Sequence, residues 1–275
     1  MGNSARSAAG SVTARILGLR FVTLLVEHSM HPEWLSNSYV VADGRGGHGV
    51  LIDSGGPPEP LLEAIEREEL TVEHLLLTHH HQDHVAENDV YKERLGVEIL
   101  AHPLEAEQLP DVDRTIEPDE ELSVGELRIK AIHTPGHTGG MLNFLVDGGD
   151  VFTGDTLFKG SVGGVKAPGS TGFADIKHSI MDVLLALPDE TSVHPGHTDP
   201  TTIGAEREEN AFVRVWRGID PESDERCTVW EKPATLVLFA PDYDGGHKAW
   251  IRWDESGEDD IVPGSQVQRE GEEGA

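Results

Sequence analysis

The densest chemistry in the chain is Thr78-His79-His80-His81-Gln82-Asp83-His84, which follows the apolar run at residues 75–77. It therefore sits where a strand ends and a loop opens, the place where α/β proteins put their chemistry. Imidazoles at 79, 81 and 84 with a carboxylate at 83 are too many for one ion. The spacing suits two borderline metals side by side, His79 and His81 reaching one, Asp83 and His84 the other. Nitrogen and oxygen donors favour zinc, iron or manganese over calcium or magnesium. Three further places repeat the device: Thr134-Pro135-Gly136-His137-Thr138, Phe152-Thr153-Gly154-Asp155-Thr156 and Val193-His194-Pro195-Gly196-His197. Each is a strand-like run followed by a tight turn that presents His137, Asp155 or His197, and the glycine lets the backbone turn sharply. A histidine-rich surface loop would explain one such cluster; four coincidences of residue type and position argue for a metal centre.

The elements that must position these residues are short strands alternating with helices. Residues 15–26 form a strand-like run broken by Gly18, and 38–42 with 50–53 flank a glycine-rich turn as a hairpin. Residues 58–70, 86–95, 176–187 and 203–216 read as helices, with Gly96 and Pro188 as stops. Strands fall at 74–77, 98–101, 126–132, 141–146, 150–152 and 192–194. Helices interleaved with hairpins predict a layered α/β protein with mixed sheets. Beyond a linker at 221–225, the strands at 235–240, 247–253 and 261–262 predict a small antiparallel meander, with residues 265–275 frayed. Three strands alone are marginal, so the meander needs a packing partner, the main domain or a second chain, and Trp230, Trp250 and Trp253 can supply that contact.

These motifs resemble those of the metallo-β-lactamase superfamily, over roughly residues 15–218 and in the superfamily's order. The resemblance implies an α/β fold, an αββα sandwich with two mixed β-sheets, here with a small C-terminal antiparallel β extension. It implies a ligand set of His79, His81 and His137 at one metal and Asp83, His84 and His197 at the other, bridged by Asp155. The acidic residue ending an early strand matches Asp53, which would orient a ligand or hold the Asp83 loop. His80, His133 and His194 read as structural neighbours. Residues 151–158 and 202–212, with Asn37-Ser38-Tyr39, are similar to glyoxalase II-type thioesterases. Residues 161–169 depart from that branch, as does Thr198, and a short β-rich tail stands where the long enzymes carry a basic helical domain. Residues 27–34 read as an extra loop between the first two strands, at a position that can overhang the site. The resemblance implies two zinc ions, with iron or manganese as alternatives. A metal-bridged hydroxide would attack a thioester or a related ester or lactone, Asp83 orienting the nucleophile or taking its proton. The competing expectation is a mononuclear iron persulfide dioxygenase using His79, His137 and Asp155; a non-catalytic binding module is the third.

Composition bounds the partners. The 275 residues carry 50 acidic and 21 basic side chains, a formal net charge of -29. Nucleic acid and anionic membrane surfaces both require basic patches, so neither is expected as a partner. No apolar run of about 18 residues spans a bilayer, and the small, polar residues 1–14 read as a disordered leader. One cysteine, Cys227, suits a reducing cytoplasm. The expected organisation is a leader at 1–14, a metal-binding domain at 15–218 and the extension at 219–275. The expected partners are a small-molecule substrate and a second copy joined through that extension.

Overall fold

The computed structural model describes residues 11–17 and 20–269, with side chains from residue 24 onward. The chain divides into two compact units, residues 1–132 with 144–147, and residues 133–143 with 148–275.

The first unit is built on a seven-stranded sheet whose order follows the chain: β1 (Ser11–Leu17), β2 (Arg20–Met30), β3 (Asn37–Ala42), β4 (His48–Ile52), β5 (Thr71–Leu76), β6 (Glu98–Ala101) and β7 (Arg114–Thr115). The first four run as an antiparallel meander, and β4 to β7 are parallel. Parallel neighbours need crossovers. Helix α1 (Pro58–Arg67) supplies the first, with Pro58 in its opening turn and Leu61, Ala64 and Ile65 buried at the spacing of one helical face. After α2 (Gln82–Val85), helix α3 (Asn88–Leu95) supplies the second; Gly96 ends it in the left-handed conformation, φ 69°, its amide donating to Lys92 O. Val40, Leu51, Leu75 and Ile99, one from each central strand, are fully buried in the same core as Leu61 and Tyr91. The parallel register has one consequence for function. Asp53 follows β4 and the histidine motif follows β5, so both leave the sheet at the same edge.

The hairpin β8 (Glu121–Val124) and β9 (Leu127–His133) leads on to β10 (Leu142–Val146). In the second unit β11 (Asp150–Gly154) lies parallel to a strand much later in the chain. The hairpin β12 (Leu157–Phe158) and β13 (Ser161–Val162) comes next, then that later strand, β14 (Ser192–Pro195), and β15 (Thr201–Thr202) antiparallel to it. Gly154 pairs with Pro195, so Asp155 and His197 also emerge side by side from adjacent parallel strands.

Several expectations are corrected. Residues 11–14, expected in the leader, belong to β1, which pairs with β2 from Ser11↔Val26 to Leu17↔Arg20; the rest of the expected leader, residues 1–10, lies outside the described residues. Glu27 and His28, expected in an overhanging loop, are strand residues opposite Val40 and Tyr39; only a short turn remains, where His31 stacks on Trp34. The helix expected over 176–187 starts at Phe173 as α4 (Phe173–His178) and continues as irregular π and 3-10 turns to Ala186. The helix expected over 203–216 is two, α5 (Ile203–Glu209) and α6 (Ala211–Trp216), broken at Asn210. The C-terminal meander has five strands, not three. Added to β17 (Lys232–Pro241), β18 (His247–Trp253) and β19 (Asp259–Pro263) are β16 (Glu225–Val229) and β20 (Val267–Arg269), in the order β19-β18-β17-β16-β20. The segment expected to be frayed thus pairs with β16 up to Cys227↔Arg269, and residues 270–275 lie outside the described residues. Trp250 packs against Phe173 and Trp216, anchoring this sheet on α4 and α6, whereas Trp230 is exposed and stacks only on Trp253. Among the described residues no helix is long and apolar enough to cross a membrane.

Candidate metal centre

In the first unit Asp53 organises the histidine motif. Its Oδ1 accepts from the Thr78 amide at 2.8 Å and its Oδ2 from the Thr78 hydroxyl at 2.8 Å. The same Oδ2 faces His84 Nδ1 at 2.9 Å. The tautomers follow from the donors available. His84 Nδ1–H donates to the carboxylate. The Thr78 proton is committed to Asp53, so at 3.0 Å His79 Nδ1–H donates to the Thr78 oxygen. Both rings are left with an Nε2 lone pair on the far side, the form a metal requires. His79 Nε2 lies 3.1 Å from His81 Nδ1, and His84 Nε2 lies 3.6 Å from Asp83 Oδ2. His80 turns away: its amide and Nδ1 both bond to Glu105, whose carboxylate is buried. Gly55 allows the loop after β4 to pass this close, because a Cβ there would overlap the Asp83 carbonyl oxygen. Asp53 itself takes a left-handed conformation, φ 56°, to make that turn.

In the second unit two imidazoles converge on one carboxylate oxygen. Asp155 Oδ2 lies 3.5 Å from His137 Nε2 and 3.4 Å from His197 Nε2. His137 Nδ1–H donates to Gly164 O at 2.7 Å, which again leaves Nε2 as the lone pair. The remodelled stretch at 161–169 thus has a role: its backbone carbonyl orients His137. Gly163 is required beside it, since a Cβ would overlap the Asp155 carbonyl oxygen. His197 is almost fully buried, with the Tyr243 ring stacked on it at 4.2 Å and the Phe158 ring edge-on at 5.5 Å. His194 pairs with Asp150 at 3.0 Å and His133 with Gly139 O at 2.9 Å, so both are tied into the fold.

Three of these four donor spacings fit metal ligation better than hydrogen bonding, and the fourth, His79 to His81 at 3.1 Å, is compatible with either. Separations of 3.4, 3.5 and 3.6 Å are long for a charge-assisted hydrogen bond. Donors about 2.1 Å from one tetrahedral ion stand ~3.4 Å apart. The donors are carboxylate oxygens and imidazole nitrogens, with His79, His84 and His137 oriented by hydrogen bonds at Nδ1, a set that suits zinc, iron or manganese. Spacing in the sequence finds the histidines and Asp155. It does not find Glu105, Gly164, Tyr243 or Lys248, whose relation to the site is made only by folding.

The comparisons agree with this chemistry. The profile of the metallo-beta-lactamase superfamily matches residues 31–197. A hydroxyacylglutathione hydrolase of Rhizobium etli is 35% identical over 215 residues, covering 64% of this chain and 81% of that protein. The BLEG-1 B3 metallo-beta-lactamase superposes with a TM-score of 0.64 at 28% identity, over 68% of this chain and 99% of that one. TTHA1623, solved in a di-iron-bound form, superposes with a TM-score of 0.58 at 34% identity, over 67% of this chain and 98% of that one. The chain belongs to the metallo-β-lactamase superfamily, in its glyoxalase II-like branch, and has that fold with mixed sheets, a few helices and a C-terminal antiparallel sheet.

Proposed function

We propose that the chain is a metal-dependent hydrolase of thioesters or of closely related esters and lactones. The observation that carries the reading is the set of imidazole nitrogens and carboxylate oxygens held 3.1 to 3.6 Å from one another within each unit, in a chain of this superfamily. In this reading His79, His81 and His137 hold one ion, Asp83, His84 and His197 a second, and Asp155 serves both; zinc is the first candidate, iron or manganese the alternatives. Such ions, when bound, polarise a carbonyl and ionise water near neutral pH.

The chain's own residues supply the rest. Asp53 fixes His84 through Nδ1 and fixes His79 through Thr78, which turns the Nε2 of each ring toward the neighbouring donors His81 and Asp83. Gly164 fixes His137 through Nδ1 in the same way. Asp83 is the half-exposed carboxylate of the set, and it orients the attacking water and accepts its proton at a carboxylate oxygen. A C–O bond forms as the C–S bond breaks; the acid and the thiol are the products. The thiolate is a good leaving group, so little acid assistance is needed. The single, buried cysteine Cys227 plays no part, and its reduced state accords with a cytoplasmic location.

Elemental analysis of the purified protein, followed by a panel of thioesters, esters, lactones and β-lactams, tests the reading. About two metals per chain with thioester cleavage is the expected result. About one iron per chain with persulfide-dependent oxygen uptake would establish the dioxygenase alternative instead. Asp155→Ala should lower metal content and hydrolysis together, because the shared ligand is gone; full dinuclear occupancy in that variant would refute the bridging role.

A further inference from the structure

The C-terminal sheet builds a wall of the space in front of His137 and Asp155. A cavity of about 490 Å³ opens there, and the turn between β17 and β18 frames its far side. Phe158, Phe239 and Tyr243 supply its aromatic surface. The framing turn is not a loose flap. Lys248 is buried, with Nζ donating to Val162 O at 2.6 Å and pairing with Asp242 at 3.1 Å. Asp242 also accepts from the Ser161 hydroxyl at 2.8 Å. Those bonds tie the turn to the hairpin β12–β13, and Tyr243 is held flat on His197.

The charge on this wall decides what it can accept. Lys248 is the one Lys or Arg among the described residues lining the cavity, and its ammonium is already matched by Asp242 and the Val162 carbonyl inside the wall. Asp242 and Asp244 of the turn face the same space, Asp242 paired with Lys248 and Asp244 at the exposed rim, while Asp155 on the opposite side belongs to the proposed metal ligands. Away from the proposed metal ligands, an anionic ligand group would meet the carboxylates of this turn; the His247 imidazole is stacked on Phe239, and the Arg269 guanidinium lies over the Phe239 ring and is not part of the lining. An uncharged ring would instead meet what Phe158, Phe239 and Tyr243 present to the cavity, Phe239 being stacked on His247 and Tyr243 on His197, and would leave no buried charge unmatched.

We propose that this cavity binds an uncharged, aromatic or bulky apolar group carried on the sulfur or oxygen of the substrate, and that it discriminates against anionic carriers such as glutathione. The proposal rests on the hydrolase reading for the position of the scissile bond, and it departs from the carrier named for the hydroxyacylglutathione hydrolase relative. Phe239 and Tyr243 are its contact residues. The Lys248–Asp242 pair positions the wall.

Binding to the metal-loaded full chain tests it without requiring turnover. The probes are two non-hydrolysable ketone analogues in which a methylene is inserted between the sulfur and the carbonyl: phenylthioacetone, which is neutral, and S-acetonylglutathione, which is anionic. Calorimetry should give the neutral analogue an affinity about tenfold or more higher. Phe239→Ala should weaken phenylthioacetone about tenfold, while Phe239→Leu, which keeps an apolar wall, should recover most of that loss. Asp244→Arg, at the exposed rim, should move the preference several-fold towards S-acetonylglutathione. Tighter binding of S-acetonylglutathione by the unaltered protein, or equal affinities in Phe239→Ala and the parent, would overturn the proposal. Neither result touches the hydrolase reading, which stands or falls on metal content and thioester cleavage.

Discussion

At the scale of single residues the ligand donors were legible because their chemistry is rare and their spacing short. His79, His81, Asp83 and His84 fall within six positions, and His137, Asp155 and His197 each sit in a glycine-marked turn. The residues that aim them were less legible. Asp53 emerged only through a family pattern, and Glu105 not at all, because one buried carboxylate among 50 acidic residues has no local signature. Asp53 is the sharpest test of the aiming argument. It satisfies the Thr78 amide, the Thr78 hydroxyl and His84 Nδ1, all buried. Asp53→Ala leaves these donors without an acceptor, a cost of about 2–5 kcal/mol. It also frees His79 and His84 to turn, which should lower metal affinity about 10–100-fold. Urea unfolding of the metal-free protein measures the first effect and competition with a chelator the second. An Asp53→Ala protein that unfolds at the same urea concentration and holds metal equally well would show that the carboxylate aims nothing.

At the scale of elements, periodicity located most strands and helices but could not see where a long-range bond interrupts them. Residues 203–216 have the apolar spacing of one helix, yet Asn210 leaves the helical region with ψ 120°. Its side-chain oxygen caps the next helix through the Phe212 and Val213 amides, and its amide nitrogen donates to Ser161 O at 3.0 Å and to Glu206 at 2.9 Å. The partner Ser161 lies 49 residues away in β13, so no window of sequence around Asn210 contains the reason for the break. The same holds for β20, whose partner strand β16 is some 40 residues earlier. Asn210→Ala should cost about 2–3 kcal/mol by losing a cap and orphaning buried partners. Asn210→Asp keeps the cap oxygen but places a carboxylate beside Glu206, whose own pKa is already raised by burial. It should therefore be destabilised as well, and more so as the pH rises through the range where both carboxyls ionise. Stability of Asn210→Asp equal to the parent at neutral pH would mean that the cap alone matters and the bond to Ser161 does not.

At the scale of the whole molecule the dominant fact is charge. Fifty acidic groups against 21 basic ones leave at least 29 carboxylates with no cation of their own, however the ion pairs are distributed. Pairs such as Arg114–Glu120 at 2.8 Å and Arg252–Asp259 at 2.8 Å are partly exposed and each contributes about 1 kcal/mol or less. Salt weakens those attractions and the net repulsion alike. The repulsion, summed over the uncompensated carboxylates, is the larger quantity, so screening should stabilise the fold. The Debye length shortens from about 10 Å at 0.1 M to about 3 Å at 1 M. Relief of about 2 kcal/mol would raise Tm by roughly 4–8 °C in a chain of this size. Sodium chloride and sodium perchlorate at equal ionic strength separate screening from salt-specific hydration, since screening predicts the same rise below about 0.3 M in both. Repeating the scan after chelation separates it from metal retention, because the two ions of the proposed centre would neutralise only four of the 29 charges. A Tm that falls with both salts would mean that the local ion pairs outweigh the net charge.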